Sequence, residues 1–125
     1  MSYEVGASVT VRALHQMPVE GPEGVLHAHD YRIEAVVGRR ELDEHGMVCD
    51  LDLLRAALRE AAVQIEGEDL ERIRPPRAEA VTVEVLARWA HQRLSAVVAG
   101  SGGETLRVRV WETATDFAGY AGPLA

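Results

Sequence analysis

Three histidines near the ends of two predicted strands are the residues of this sequence best suited to chemistry. His27 and His29 begin an alternating segment that runs on to Val37. Side chains at positions i and i+2 of a strand point to the same side, so both imidazoles share a mostly apolar face, which is expected to turn inward. Zinc binds histidine nitrogen readily, and a catalytic zinc typically has three protein ligands and an open position. The pair therefore supplies two ligands of a candidate zinc site.

A third imidazole ends the preceding alternating segment. In a strand predicted over residues 3–15, the apolar face that includes Val9 ends at His15. A connection rich in proline and glycine leads to a second strand, predicted over residues 27–39, so we expect the two strands to pair antiparallel. That pairing gathers the three imidazoles at one end of the hairpin. The alternative is a group of partly buried histidines at the mouth of a loop, without a metal ion.

Composition narrows the function classes. The length of 125 residues suits a single domain over residues 1–125, and a hydrophobic fraction of 47% is enough for a core. A formal net charge of −7 disfavours nucleic acid as a partner, because no basic stretch is available to contact phosphates. The single cysteine, Cys49, excludes an internal disulfide framework, and no apolar run reaches membrane-spanning length. Since the N-terminus has no signal-peptide pattern, we expect a cytoplasmic protein that does not bind membranes.

Two amphipathic helices follow the predicted hairpin. Asp50 is a typical N-cap for a helix predicted over residues 51–65, and Thr82 caps a second helix predicted over 83–98. Apolar residues recur along both segments at helical spacing, so each helix has one face for the core. His91 lies on the flank of the second apolar stripe, and we expect it at the surface.

The last strong strand, predicted over residues 105–112, ends with Glu112, whose side chain falls on the apolar face of that strand. Because a buried unpaired charge is costly, Glu112 must leave the core at the strand end or meet a cationic or donor-rich partner there. The glycine-rich tail is compatible with a further short strand near Tyr120. The order β-β-α-α-β, with this additional strand, predicts an α+β fold, an antiparallel sheet with both helices on one face.

Five features, in order along the chain, carry a family resemblance. They are a histidine that ends the first strand at His15, His-Ala-His-Asp-Tyr at 27–31, Gly-Met-Val-Cys-Asp-Leu at 46–51, Thr-Val-Glu-Val-Leu-Ala-Arg-Trp at 82–89 and Val-Trp-Glu-Thr at 110–113. In these features the chain resembles, over nearly its whole length, the 6-pyruvoyltetrahydropterin synthase / 6-carboxytetrahydropterin synthase family. The resemblance implies the tunnelling fold, with subunits assembled as homo-oligomers, trimers or hexamers, and with the pockets between subunits.

The resemblance also implies roles for individual residues. Zn²⁺ would be held by His15, His27 and His29. Glu112 would bind the amino and ring N–H groups of a pterin, a bidentate match for a carboxylate. Thr82 and Thr113 would lie near the pterin ring.

The sequence differs from the family at the positions of the family's usual proton-transfer residues. Glu23 replaces the family's cysteine, and the stretch 65–69, which contains no histidine, replaces its Asp-His relay. Ala28 replaces a glycine between the paired histidines. A carboxylate can remove a hydroxyl proton, which sets up cleavage of an adjacent C–C bond. Glu23 is therefore the candidate base, and Glu20 is its rival.

These features together predict a zinc-dependent pterin-processing enzyme. It would be a carbon–oxygen or carbon–carbon lyase with aldolase-like chemistry on the side chain of a dihydroneopterin-type substrate. One alternative is a pterin- or heterocycle-binding paralogue that keeps zinc but lacks the usual synthase activity. Another is an enzyme redirected to a different planar heterocycle.

Overall fold

An antiparallel four-stranded sheet positions the site residues in this computed structural model, which describes residues 2–124. The strands lie side by side in chain order: β1 (Tyr3–His15), β2 (His27–Arg39), β3 (Thr105–Trp111) and β4 (Phe117–Pro123). Helices α1 (Leu51–Ile65) and α2 (Val83–Val98) lie between β2 and β3 in the chain and pack on one face of the sheet. The predicted α+β arrangement is therefore confirmed, including the fourth strand.

β1 and β2 form a long hairpin that ends at the histidines. Its ladder runs from the Tyr3–Arg39 pair to the His15–His27 pair. The inward side chains of β1 become more buried toward His15, while every second residue faces outward, as the alternation predicts. Two of the three histidines therefore lie directly opposite each other, and His29 follows two residues along the same face.

Both helices begin at the predicted caps. The carboxylate of Asp50 accepts hydrogen bonds from the N–H groups of Asp52 (2.9 Å) and Leu53 (3.4 Å). The hydroxyl of Thr82 accepts one from the N–H of Val85 (3.1 Å). Such caps satisfy N–H groups that have no intrahelical partner, which is why the helices begin at these residues. Among the described residues, neither helix is long and apolar enough to cross a membrane.

Aliphatic side chains fill the space between the sheet and the helices. The largest fully buried ones are Ile33, Leu54, Leu58, Ile65, Leu70, Leu86, Leu94 and Leu106. Burying a side chain of this size contributes about 1.5–3 kcal/mol to stability. This packing gives the strand ends that carry the histidines a rigid support.

His91 contradicts the sequence expectation, because it is buried rather than at the surface. Its residue exposure is 5%, and its Nε2–H donates a hydrogen bond to the carbonyl of Leu106 (3.1 Å). The ring packs edge-on against Tyr120 of β4, with centroids 4.7 Å apart. Burial lowers the pKa of His91, and the nearby charge of Arg88 adds to this, while the bond to Leu106 opposes it. The prediction was wrong because β4 covers the flank of α2.

The single cysteine is buried just before α1. Cys49 is 5% exposed and forms no disulfide, as its lone occurrence predicts. Burial raises the pKa of the Cys49 thiol, and the neighbouring Asp50 carboxylate raises it further. The thiol is thus a protonated core group and not a nucleophile.

Candidate metal and substrate site

Three imidazoles converge at the end of the β1–β2 hairpin, as the strand pairing predicts. The ring centroids are 4.4 Å apart for His15 and His27, 4.7 Å for His27 and His29, and 5.0 Å for His15 and His29. His15 is buried, whereas the side chains of His27 and His29 are 23% and 22% exposed. The cluster therefore lies where the core opens to solvent.

Glu23 joins the histidines from the connection between the two strands. Its Oε2 lies 3.2 Å from the Nε2 of His27 and 3.7 Å from the Nε2 of His15. One ligand atom from each of these residues, together with His29, falls within 4.8 Å of every other. The rival Glu20 is exposed and is not part of this group. The structure thus brings together Glu23, and not Glu20, with the three histidines.

A short 3₁₀ turn, Pro22–Gly24, holds Glu23 in place. The Glu23 carbonyl accepts a hydrogen bond from the Met17 N–H (2.8 Å), and the Gly24 carbonyl accepts one from the Gln16 side chain (2.6 Å). A Cβ at Gly24 would collide with the carbonyl oxygen of Val19, so only glycine fits this turn. The backbone beneath Glu23 is therefore anchored, while its side chain is 55% exposed.

The protonation pattern of the cluster suits a cation. His27 Nδ1–H donates to the Val25 carbonyl (2.6 Å), which leaves its Nε2 lone pair facing the cluster, 3.0 Å from the Nε2 of His29. Among residues 2–124, no group makes a normal hydrogen bond to either ring nitrogen of buried His15. An unsatisfied buried polar group is costly, and a metal ion at this point would satisfy it. The donor set therefore fits a zinc ion.

Burial lowers the pKa of His15, and the neighbouring imidazoles of His27 and His29 lower it further. A backbone contact with Val81, which falls short of a normal hydrogen bond, and the carboxylate of Glu112 oppose this shift. His15 is therefore held as the neutral imidazole, which is the form that binds metals.

Glu112 connects the histidines with a cavity. It lies one residue beyond β3, and its Oε1 is 2.9 Å from the Nε2 of His29. Its side chain is 25% exposed and lines a cavity of about 200 Å³, bounded by Val83, Glu84, Asp116, Phe117 and Ala118. Glu112 therefore lies against the same Nε2 of His29 that would face a metal ion, so His29 could not donate to Glu112 through this nitrogen once a metal is bound.

Thr82 and Thr113 use their hydroxyls within their own segments. The Thr82 hydroxyl caps α2, and the Thr113 hydroxyl accepts hydrogen bonds from the N–H groups of Thr115 (3.2 Å) and Asp116 (3.0 Å). Thr113 follows Glu112 directly and shapes the turn that leads to β4. A role beside a pterin ring stays a prediction for both threonines.

A second cavity, of about 280 Å³, opens beside His15 and is acidic. Its walls are His15, Gln16, Met17, Pro18, Asp69, Glu71, Glu79 and Val81. The Leu14 N–H donates to the Glu68 carbonyl (2.9 Å), and Leu14 pairs with Asp69 in an isolated parallel bridge, which brings the acidic segment to the end of β1. The sequence did not predict these carboxylates at the site, because only the acidic composition of the stretch signals them.

The hairpin, the helices on one sheet face and the histidine cluster at the strand ends define a protein of the tunnelling-fold class. The family model of 6-pyruvoyl tetrahydropterin synthase matches residues 6–123, so the chain belongs to that family. The resemblance seen in the sequence is thereby confirmed. No curated protein sequence matches the chain significantly.

Solved structures share the fold at low sequence identity. The 6-pyruvoyl tetrahydropterin synthase of Caenorhabditis elegans is 18% identical, with a TM-score of 0.78, and the match covers 98% of this chain and 96% of that one. The Plasmodium falciparum enzyme is 15% identical, with a TM-score of 0.80 and 98% of each chain covered. A Plasmodium vivax 6-pyruvoyltetrahydropterin synthase, described as a catalytic residue mutant, is 14% identical with a TM-score of 0.81, covering 98% and 99%.

Proposed function

We propose that this chain is a zinc-dependent enzyme that processes the side chain of a dihydroneopterin-type pterin. One observation carries the proposal: the buried His15, without a hydrogen-bond partner among the described residues, lies in a cluster of metal-binding side chains that Glu112 links to a cavity. Membership of the pterin synthase family supports the substrate class. The proposed reaction is that of a carbon–carbon or carbon–oxygen lyase.

The three histidines would hold the zinc ion. When bound, zinc would supply Lewis acidity toward a hydroxyl of the substrate side chain. The Val25 carbonyl would orient the ring of His27 with its Nε2 toward the ion, and burial lowers the pKa of His15, which favours the neutral form that binds metals.

Glu112 would orient the substrate. An ionised carboxylate binds two adjacent N–H groups in a fork, and the amino and ring N–H groups of a pterin form such an edge. Glu112 is half-buried beside a cavity, so the pairing would take place partly away from water. Its separation from Glu23 by the histidines would place the pterin ring and the reacting side chain on opposite sides of the cluster.

Glu23 would remove a proton from a side-chain hydroxyl. The O–H electrons then form a carbonyl, the adjacent C–C bond breaks, and the carbon next to the ring takes up a proton. In the Plasmodium vivax protein, a glutamate is described as a catalytic residue, which supports a glutamate in this role. A general base contributes roughly 100- to 10,000-fold to a rate.

Incubation of the zinc-loaded protein with 7,8-dihydroneopterin and with its triphosphate, followed by mass spectrometry, tests the proposal. We expect a shortened pterin and a carbonyl fragment. Glu23→Gln should reduce turnover at least 100-fold, since an amide is no base, while the exposed neighbour Glu20→Gln should retain it. Equal turnover in Glu23→Gln and the wild type would remove Glu23 from the reaction.

A pterin-binding paralogue without synthase activity is the second candidate. It is favoured by the segment that replaces the family's Asp-His relay, where the Gly67 N–H donates to the Arg12 carbonyl (2.8 Å) and no histidine is present. Pterin binding without any product, in the same incubation, would establish this candidate and reject the enzyme.

We also propose a homo-oligomer, a trimer or a hexamer. β1 and β4 are the outer strands, and within residues 2–124 neither has a second neighbouring strand. Exposed strand edges promote pairing with other chains, and closing sheets into a ring removes them.

A further inference from the structure

We propose that Glu23 is the fourth ligand of the metal and closes the centre until an incoming ligand displaces it. This inference rests on the zinc site of the proposed function and deepens it. Glu23 would then have two states, one as a ligand and one as the free base. The centre would be closed in the resting protein, although it serves a reaction.

Three separations between the donor atoms are close to those of a tetrahedral site. Ligands about 2.0–2.1 Å from a zinc ion at tetrahedral angles lie about 3.3 Å from one another. The Nε2 atoms of His27 and His29 are 3.0 Å apart, and Glu23 Oε2 lies 3.2 Å from the Nε2 of His27. The separation between Glu23 Oε2 and the Nε2 of His15 is 3.7 Å. With a zinc ion held by the three histidines, the carboxylate would be the fourth ligand, in the position that a catalytic zinc keeps open.

The surroundings of Glu23 suit exchange better than permanent coordination. Its backbone is anchored through Met17, but its side chain is 55% exposed, more than twice the fraction of His27. Within the described residues, the carboxylate makes ion-pair contacts with His15 and His27 alone. It can therefore swing toward solvent without breaking any other contact. A hydroxyl arriving at this corner would find the displaced carboxylate next to it, ready to accept its proton.

Cobalt(II) substitution tests coordination without any turnover. The variant is Glu23→Ala, and the control is Glu20→Ala, an exposed neighbour outside the cluster. Both proteins are loaded with Co²⁺, and visible spectra are recorded during titration with azide, a small ligand that binds only at an open corner. We expect the wild type and Glu20→Ala to resist azide, and Glu23→Ala to bind it at least tenfold more tightly. The alanine variant should also bind zinc at least about tenfold more weakly, a loss typical even of outer-shell partners.

The possible outcomes distinguish failure of this inference from failure of the proposed function. If Glu23→Ala has the same zinc affinity and azide titration as the wild type, while His27→Ala loses the metal, Glu23 is not a ligand and the histidine centre stands. If the wild type binds neither zinc nor cobalt, both the histidine metal centre and its fourth ligand are rejected. Circular dichroism of each variant confirms that the fold is intact, which is expected because Glu23 lies in an exposed turn.

Discussion

A carboxylate at the end of a buried strand face needs a partner, and Glu112 lies 2.9 Å from His29. The sheet register determines this contact, because Arg32, three residues beyond His29 on β2, pairs with Trp111. Glu112 also borders the cavity of about 200 Å³. At the scale of single residues, Glu112 could thus both contact the histidine cluster and bind the proposed pterin.

Glu112→Gln should weaken pterin binding by roughly 10- to 100-fold. The amide loses a charge-assisted hydrogen-bonded pair worth about 1.5–3 kcal/mol. Fluorescence titration of the zinc-loaded protein with a dihydropterin measures the change. Glu34→Gln is the matched control. Glu34 also lies in the sheet, with its side chain near Arg32, but it is not part of the histidine cluster. Unchanged affinity in Glu112→Gln would exclude Glu112 as the pterin anchor.

Much of the candidate site could be predicted from residue spacing, and some of it could not. The i, i+2 histidines and the strand-ending His15 need only strand geometry and a hairpin. The choice between Glu23 and Glu20 depends on how the loop folds over the cluster, which its composition does not encode. The carboxylates of Asp69 and Glu71 reach the site beside a backbone bridge between Leu14 and Asp69, and no local sequence pattern predicts such a bridge.

At the scale of elements, periodicity predicted the strands and helices well, because each has one buried face and clear caps. β4 was predicted only as a short strand near Tyr120, because two glycines and a proline interrupt its pattern. The consequence was the wrong placement of His91 at the surface. The apolar stripe of a helix does not by itself show that a strand distant in sequence covers the flank of that helix.

Burial of His91 should make stability depend on pH. Because the pKa of His91 is lowered in the folded protein from its usual 6.5, the unfolded chain binds the proton more readily. This contribution to the free energy of unfolding is complete above pH 6.5 and declines as pH falls below it. Urea midpoints between about pH 5 and pH 7.5 measure the slope.

His91→Gln should flatten that slope, because glutamine can still donate to the Leu106 carbonyl but does not titrate in this range. All other residues are the same in both proteins, so their effects cancel in the difference. His45→Gln, in an exposed turn, is the control for a histidine-to-glutamine change outside the core. Identical slopes for wild type and His91→Gln would show that His91 does not contribute.

At the scale of the whole molecule, charge bears on the choice of substrate. The formal net charge is −7, and all 13 basic residues are arginines. Glu71 in the acidic cavity is paired with Arg74, while Asp69 and Glu79 add further negative charge beside His15. Polyanionic ligands are therefore disfavoured at this end of the cluster.

We expect 7,8-dihydroneopterin to bind more tightly than its triphosphate. One close pair of like charges in water costs about 1 kcal/mol, so the difference should be roughly fivefold or more. Competition titrations should show the gap narrowing as salt rises, because salt screens exposed charges. Glu79→Gln should reduce the difference in affinity between the two ligands at low salt. Tighter binding of the triphosphate would contradict this reading of the cavity.

The free edges of β1 and β4 predict association of the whole molecule. Light scattering should give a mass that is a multiple of three chains of 13.7 kDa each. The mass should persist on dilution, because strand pairing and the apolar surface covered with it are extensive in closed sheets. A 13.7 kDa species over a wide concentration range would reject the oligomer.

The buried thiol before α1 makes local opening of this molecule directly measurable. A thiol reacts as its thiolate, so Cys49, 5% exposed and with its pKa raised, should react with a disulfide reagent only when the chain around it opens. Because no other cysteine exists, each subunit takes up one label, at a known place. The rate of labelling relative to that of the unfolded chain gives the free energy of opening at the start of α1. Since Cys49 is not part of the histidine cluster, the same label can report whether metal loading changes the free energy of opening outside that cluster.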